Sequence, residues 1–245
     1  MKIISLNIWG GRVGYKILDF FKKYSDVDIF ILQEVFHNAT DITAWDETER
    51  REIFKEIGEV LVDHNGHYAP VESNEWGLAL FVKKKIIVEE VGDIFVHGQK
   101  NSMIGRDCST LGKNIQYIRI AGEKNVTIIN FHGLWNGKGK TDTEDRINQS
   151  KRIVEFVKNI THDIVLGGDF NLRPDTESLK ILERDLNLKN LISEYQITST
   201  RTNLYSKEEK FADYMLVSPN IKISDFKVLP EEISDHSALY LEFKL

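Results

Sequence analysis

One cysteine, Cys108, stands in a chain of 245 residues, which excludes an intramolecular disulfide and any cysteine-built zinc cluster. No His-x-x-x-His or His-Glu-x-x-His spacing supplies a zinc site by another route. A Gly-x-Ser-x-Gly elbow is also missing, and Cys108 has no evident activating partner, so nucleophilic serine or cysteine catalysis lacks its signature. With 4 prolines and 16 glycines there is little material for a long disordered linker. No apolar run reaches membrane-spanning length, and residues 1–8 are too short and too polar, at Ser5 and Asn7, for a signal-peptide core. No basic amphipathic helix offers a membrane surface anchor. These absences lead us to expect a soluble, cytoplasmic protein without membrane insertion and with no obligate protein partner. Positive charge is not in excess: the net charge of −6 argues against coating nucleic acid by charge alone, though not against gripping a few phosphates locally.

What is present is a series of short segments rich in β-branched residues. They predict strands at 2–8, 27–33, 77–83, 86–96, 115–121, 125–131, 163–168, 211–217, 222–229 and 237–243. The runs Ile29-Phe30-Ile31-Leu32 and Ile164-Val165-Leu166 lack polar alternation, as strands covered on both faces do. Helical periodicity falls at 15–24 and at 43–62, the latter with an apolar stripe through Trp45, Ile53, Phe54, Ile57 and Leu61. A third helix is expected from a capping box of Thr141 with Glu144, continuing through Ile153, Val154, Val157 and Ile160, and a fourth at 176–186. No repeat or composition shift marks a boundary, so residues 1–245 are expected to form one domain. Many strands with few helices suit two stacked mixed sheets with helices outside.

The informative residues are polar groups where apolar strands end. Asn7 closes the first strand. Glu34 follows Leu32-Gln33, where an unpaired carboxylate would be costly and a metal would resolve the cost. His132 ends Asn130-Phe131-His132, just before a Gly-rich loop. Asp169 and Asn171 follow two glycines in Gly167-Gly168-Asp169-Phe170-Asn171, Asp213 interrupts an apolar run before Tyr214, and Asp235 with His236 precedes the last strand. Each alone has a plain reading: surface carboxylate, loop histidine, turn, buried structural aspartate, capping pair. As a set, the oxygen donors Glu34, Asp235 and Asn7 suit Mg²⁺ or Mn²⁺. A pairing of His236 with Asp213 would fix the imidazole tautomer or hold it as a cation beside a phosphate.

In order, Leu6-Asn7-Ile8-Trp9, Leu32-Gln33-Glu34-Val35, Asn130-Phe131-His132, Gly168-Asp169-Phe170-Asn171, Asp213-Tyr214 and Ser234-Asp235-His236 resemble the motifs of the endonuclease/exonuclease/phosphatase superfamily. The resemblance runs from Asn7 to His236. It implies a four-layer α/β/β/α sandwich with the active site at one rim, and hydrolysis of a phosphate ester; the loop residues named below favour a phosphodiester in nucleic acid. It further implies Glu34 as principal metal ligand with Asn7 and Asp235 close to the metal. Asp169 would orient or deprotonate the attacking water, and Asn171 would hold a phosphate oxygen. His236, oriented by Asp213, would contact the scissile phosphate, with His132 as a second contact or proton donor. His132 is more like the deoxyribonuclease I, deadenylase, sphingomyelinase and tyrosyl-DNA phosphodiesterase 2 branches than the exonuclease III-like one, which usually has Tyr there. Phe211-Ala212 departs from the pattern, since many relatives place an Arg two residues before the Asp.

Loops near those strand ends offer Arg12, Trp135, Asn136, Lys138, Lys140, Arg173, Arg201 and Tyr205 for substrate, with Trp135 and Tyr205 able to stack a base and the cations able to steer phosphates. The same residues could hold an inositol ring or a lipid headgroup, so a phosphatase or phosphodiesterase on such a small molecule is the alternative. An inactive binding module on the same fold is a third class, disfavoured by the intact motif set.

Overall fold

A computed structural model describes residues 1–40, 46–122 and 124–245. Within them lie twelve strands, β1 (Lys2–Asn7), β2 (Ile29–Phe36), β3 (His64–Glu72), β4 (Trp76–Lys83), β5 (Val88–His97), β6 (Lys113–Ile120), β7 (Val126–His132), β8 (Asp163–Asp169), β9 (Lys189–Asn190), β10 (Asp213–Val217), β11 (Lys222–Val228) and β12 (Leu239–Lys244). The α-helices are α1 (Lys16–Lys23), α2 (Ile53–Val60), α3 (Glu144–Val157), α4 (Glu177–Asp185) and α5 (Leu191–Glu194), with a 3₁₀ turn at Trp9–Gly11. The strands form two six-stranded sheets, ordered β11-β12-β1-β2-β4-β3 and β5-β6-β7-β8-β10-β9. Both sheets are mixed: β1 runs parallel to β2 and β7 parallel to β8, while their other neighbours are antiparallel. Sheet stacks on sheet with helices outside, the four-layer arrangement expected.

Strand alternation explains the layers. Ile3, Ile29, Ile31, Leu80 and Val82 join the core between the sheets, whereas the intervening Ile4, Leu6, Phe30, Leu32, Ala79 and Phe81 pack outward with Ile17, Phe20 and Phe21 of α1 and Ile53 and Ile57 of α2. Along β1 and β2 the inward row changes character: Ile3 and Ile29 give way to Ser5, Asn7 and Gln33 at the C-terminal ends. Hydrophobic burial therefore stops there, and polar groups gather at that rim.

Several local expectations change. Strand β3 was not expected because His64-Asn65-Gly66-His67-Tyr68-Ala69-Pro70 is polar and carries Gly and Pro; it is an edge strand, where Pro is tolerated. The two-residue β9 is too short to carry a period. Helix α2 begins only at Ile53, and Thr43 and Trp45 of the longer expected helix lie outside the described residues. The cap of α3 is Thr143, whose Oγ1 accepts from Arg146 N at 3.4 Å, not Thr141, whose hydroxyl donates to Lys138 O. Among the described residues no helix is long and apolar enough to cross a membrane.

Candidate active site

Register alone lines up three polar side chains. His132 pairs with Asp169 across β7 and β8, and Asp169 pairs with Asp213 across β8 and β10, so the three occupy neighbouring positions at one sheet's rim. Gly168 permits the close approach: its φ of +145° suits glycine, and a Cβ there would stand 1.9 Å from Phe131 O. In the facing sheet β2 bulges between Leu32 and Val35, and Glu34 takes a left-handed φ of 56°, which turns its carboxylate out of the strand's alternation. Asn130 supports that bulge from the other sheet, donating from Nδ2 to Leu32 O at 2.9 Å and Ala79 O at 3.2 Å, while its Oδ1 accepts from Gln33 Nε2 at 2.6 Å.

A dense network results. Asn7 Nδ2 donates to Glu34 Oε1 and to Asp169 Oδ2, both at 3.0 Å. Asp169 Oδ1 accepts from Asn171 N at 2.9 Å. His132 Nε2 lies 3.8 Å from Glu34 Oε1 and 3.7 Å from Asp169 Oδ2, and His236 Nε2 lies 3.6 Å from the same Asp169 oxygen. His236 Nδ1 is held by Asp213 at 2.8 Å. Ser234 ties the segment before β12 to the end of β1, donating to Asn7 O at 2.7 Å and accepting from His236 N at 3.2 Å. Thr200 Oγ1 accepts from the backbone of Ala212 and Asp213, fixing the start of β10.

Electrostatics separates the two histidines. Burial alone would lower His236, but the carboxylates of Asp213 and Asp169 outweigh it and raise its pKa, favouring an imidazolium. Burial drives His132 well below the ordinary value, and the Lys113 charge adds to that, leaving a neutral imidazole. Asp169 is buried too, which would raise it, yet the charges of His236 and Lys140 foremost, with Arg201 adding, hold it below the ordinary carboxylate range. Glu34 is pushed up by burial, which outweighs the Asn7 hydrogen bond and the His236 charge; Asp235 and Asp169 add smaller repulsions.

A buried carboxylate with Asp169 and Asp235 nearby is a place where a cation would relieve the cost of the charge. Glu34, His132 and Asp169 each offer a ligand atom, all within 4.8 Å of one another, and the carboxylate-rich set without cysteine fits a hard divalent ion. Asn7 is turned otherwise than expected. Trp9 N donates to its Oδ1 at 2.9 Å, which leaves the NH₂ facing the carboxylates, so in this orientation Asn7 positions ligands and does not itself present an oxygen. Asp235 lines the same cavity but is engaged by Arg201 Nη1 at 3.1 Å.

The cavity over the network holds about 280 Å³. Of the substrate-side residues expected, Arg12, Trp135, Arg201 and Tyr205 line it, whereas Lys138 and Arg173 do not; Arg173 is exposed and paired with Asp175. Arg12 is spoken for by Glu49 at 2.6 Å, and Arg201, besides Asp235, stacks on Tyr205. Two cations remain beside Trp135: Lys140, which donates to Asn171 Oδ1 at 2.7 Å, and Lys207. Sequence reading missed Lys113, a buried lysine in the cavity wall, and Trp76 beneath it. A cation at the start of an apolar strand, on the rim side, was the available signal.

Comparison with known proteins adds fold and family. No curated protein matches the chain. Among solved structures, a Bacteroides thetaiotaomicron mannosyl-6-phosphatase is 18% identical with a TM-score of 0.76, covering 100% of both chains. The human nocturnin catalytic domain is 17% identical with a TM-score of 0.70, covering 100% of this chain and 94% of that one. A humanized D. rerio TDP2 is 13% identical with a TM-score of 0.72, over 100% of this chain and 99% of that one. At such identities these structures establish the shared fold alone. The sequence profile of the Endonuclease/Exonuclease/phosphatase family matches residues 4–236, from within the first strand to the imidazole at the rim, and the chain belongs to that family.

Proposed function

We propose that the protein is a divalent-metal-dependent hydrolase that cleaves a phosphate ester with water. Members of the family are typically metal-dependent phosphoester hydrolases. The observation that carries the reading is the meeting of Glu34, Asp169, His132 and His236 in one cavity, with an imidazolium and a carboxylate anion side by side. Glu34, with Asp169 and His132 nearby, would hold the cation. When bound, it polarises the phosphoryl oxygen and eases departure of the leaving group.

The chain's own groups supply the rest. Asp169, kept anionic by its cationic neighbours, orients the attacking water and receives its proton. His236, charged and locked by Asp213, donates from Nε2 to a phosphate oxygen as charge builds there. Neutral His132 offers a further contact on the same side. Asn171 sits with a left-handed φ of 54° and holds Lys140 in the cavity wall, where that ammonium can meet a phosphate oxygen.

For the substrate, a compact phosphoester suits the cavity best, because Arg12 and Arg201 are neutralised within it and Lys138 and Arg173 stand outside it. The mannosyl-6-phosphatase is a relative in fold with a small-molecule name. A nucleic-acid end is the second reading, favoured by Trp135 flanked by Lys140 at 5.5 Å and Lys207 at 4.9 Å, a stacking surface between two cations. A Mg²⁺-supplemented panel of sugar phosphates, inositol phosphates, sphingomyelin, a 5′-phosphotyrosyl oligonucleotide, DNA and RNA tests both. Turnover that survives EDTA, or no turnover of any member, would overturn the proposal.

A further inference from the structure

The cavity has one wall whose charge nothing in the network above uses. Lys113 opens β6, is 3% exposed, and makes no hydrogen bond or ion pair among the described residues. Its Nζ lies over the Trp76 ring at 5.1 Å, and Trp76 in turn leans on the His132 ring at 5.5 Å, which puts the ammonium on the Glu34 and His132 side of the site. The segment between β5 and β6 covers it, lining the cavity with Met103, Cys108 and Leu111. That segment is tied to the β3–β4 turn: Met103 N donates to Glu72 Oε2 at 3.3 Å, Asn101 N to Val71 O at 3.0 Å, and Ser73 N to Asn101 Oδ1 at 2.8 Å.

An ammonium in the wall of this cavity, on a residue otherwise buried and with three unused donors, is placed to meet an anion that enters. The π face of Trp76 satisfies only part of its charge. On the opposite wall the corresponding cation, Lys140, is already bonded to Asn171. The scissile phosphate, held between the Glu34 cation site and His236, is the anion that can reach the Lys113 wall.

A phosphate monoester presents three terminal oxygens and two negative charges, whereas a diester presents two oxygens and one charge, its fourth position carrying a second substituent. Besides the cation site and neutral His132, the cavity offers three charged donors, His236, Lys140 and Lys113, which suits the added oxygen and charge of a monoester. We propose, resting on the phosphoesterase reading, that Lys113 contacts the third terminal oxygen of the substrate phosphate and makes this site select monoesters, or a chain's terminal phosphate, over internal diesters. The ester P–O bond breaks, the water oxygen replaces it on phosphorus, and the alcohol leaves with a proton.

Two measurements test this. In calorimetric titrations with Mg²⁺ present, wild type should bind inorganic phosphate more tightly than dimethyl phosphate, and Lys113→Met should weaken phosphate by about 10-fold or more, the loss of one charge-assisted hydrogen bond, while barely moving dimethyl phosphate. In turnover, the kcat/KM ratio of p-nitrophenyl phosphate to bis(p-nitrophenyl) phosphate should favour the monoester and collapse in Lys113→Met. Equal phosphate binding by both proteins, or a wild type that favours the diester, overturns the role of Lys113. Absence of any metal-dependent turnover strikes instead at the phosphoesterase reading, and the binding comparison still decides the residue. If Lys113→Met does not fold, the wild-type preference between inorganic phosphate and dimethyl phosphate decides: tighter phosphate upholds the monoester selection, and equal or weaker phosphate overturns it.

Discussion

The Nδ1 atom of His236 stands 2.8 Å from one carboxylate oxygen of Asp213 and 2.9 Å from the other, both residues buried and reached from different sheets. Neither oxygen leaves the imidazole free to rotate, so Nε2 is aimed at Asp169 and into the cavity.

The pair should set the alkaline side of the pH profile. Because the His236 pKa is raised, its protonated form is the stabilised one: that contribution is complete below the ordinary value of 6.5 and is lost as pH rises through the raised value. Asp213→Asn should therefore move the alkaline limb of kcat/KM toward acid and lower kcat by about 10²–10⁴-fold. Adding His236→Ala should cost little more, since the two act as a unit; a double variant showing the product of both losses would refute the coupling.

Chelation and Glu34→Gln should agree. EDTA should abolish turnover and Mg²⁺ or Mn²⁺ restore it, with melting temperature rising on metal addition in wild type through ligand linkage. Glu34→Gln should lose the metal-induced rise while its metal-free melting temperature stays level or climbs, because burial and the neighbouring carboxylates penalise the native charge. A full thermal response to metal in that variant would remove Glu34 as a ligand.

Asp169→Asn should lower kcat by about 10²–10⁴-fold and leave substrate affinity largely intact, as general-base removal does. Stopped-flow binding with unhydrolysed substrate separates the two effects. An equal loss in affinity would make Asp169 a binding residue.

Arg146 has a structural role that touches substrate. Fully enclosed in α3, it donates to Leu134 O at 3.0 Å, to Gly139 O at 2.7 Å and to Thr141 O, and so clamps the loop carrying Trp135 and Lys140. Arg146→Met should cost about 1–3 kcal/mol, a fall of several degrees in melting temperature, and raise KM more than it changes kcat. An unchanged KM would detach that loop from substrate binding.

If a nucleic-acid end is bound, few phosphates are neutralised. With Lys140 and Lys207 as the contacts, log K against log salt should slope at about −1.4 for a single strand, roughly 0.7 per phosphate. Fluorescence anisotropy from low to physiological salt measures it, and a slope several times steeper would demand cations elsewhere.

Residue type and alternation were enough to expose the sandwich and the motif positions, because both depend on local pattern. Apolar runs such as Ile29-Phe30-Ile31-Leu32 must be covered on two faces, and polar groups at their ends, Asn7, Glu34, His132, Asp169, must leave the core. Pairing distant in sequence lay beyond that pattern. The register of β7, β8 and β10 puts His132, Asp169 and Asp213 in one row, and the backbone N–H of Trp9 decides that Asn7 shows its NH₂ and not its oxygen. Arg12 and Arg201 read as free cations until the fold brings Glu49 and Asp235 to them, while Lys113, unremarkable in Leu111-Gly112-Lys113, becomes a buried unpaired charge once the β5–β6 segment closes over it. Hydrophobic periodicity is written along the chain; the charge state and partner of a polar group depend on which other strands end beside it, and only tertiary packing settles that.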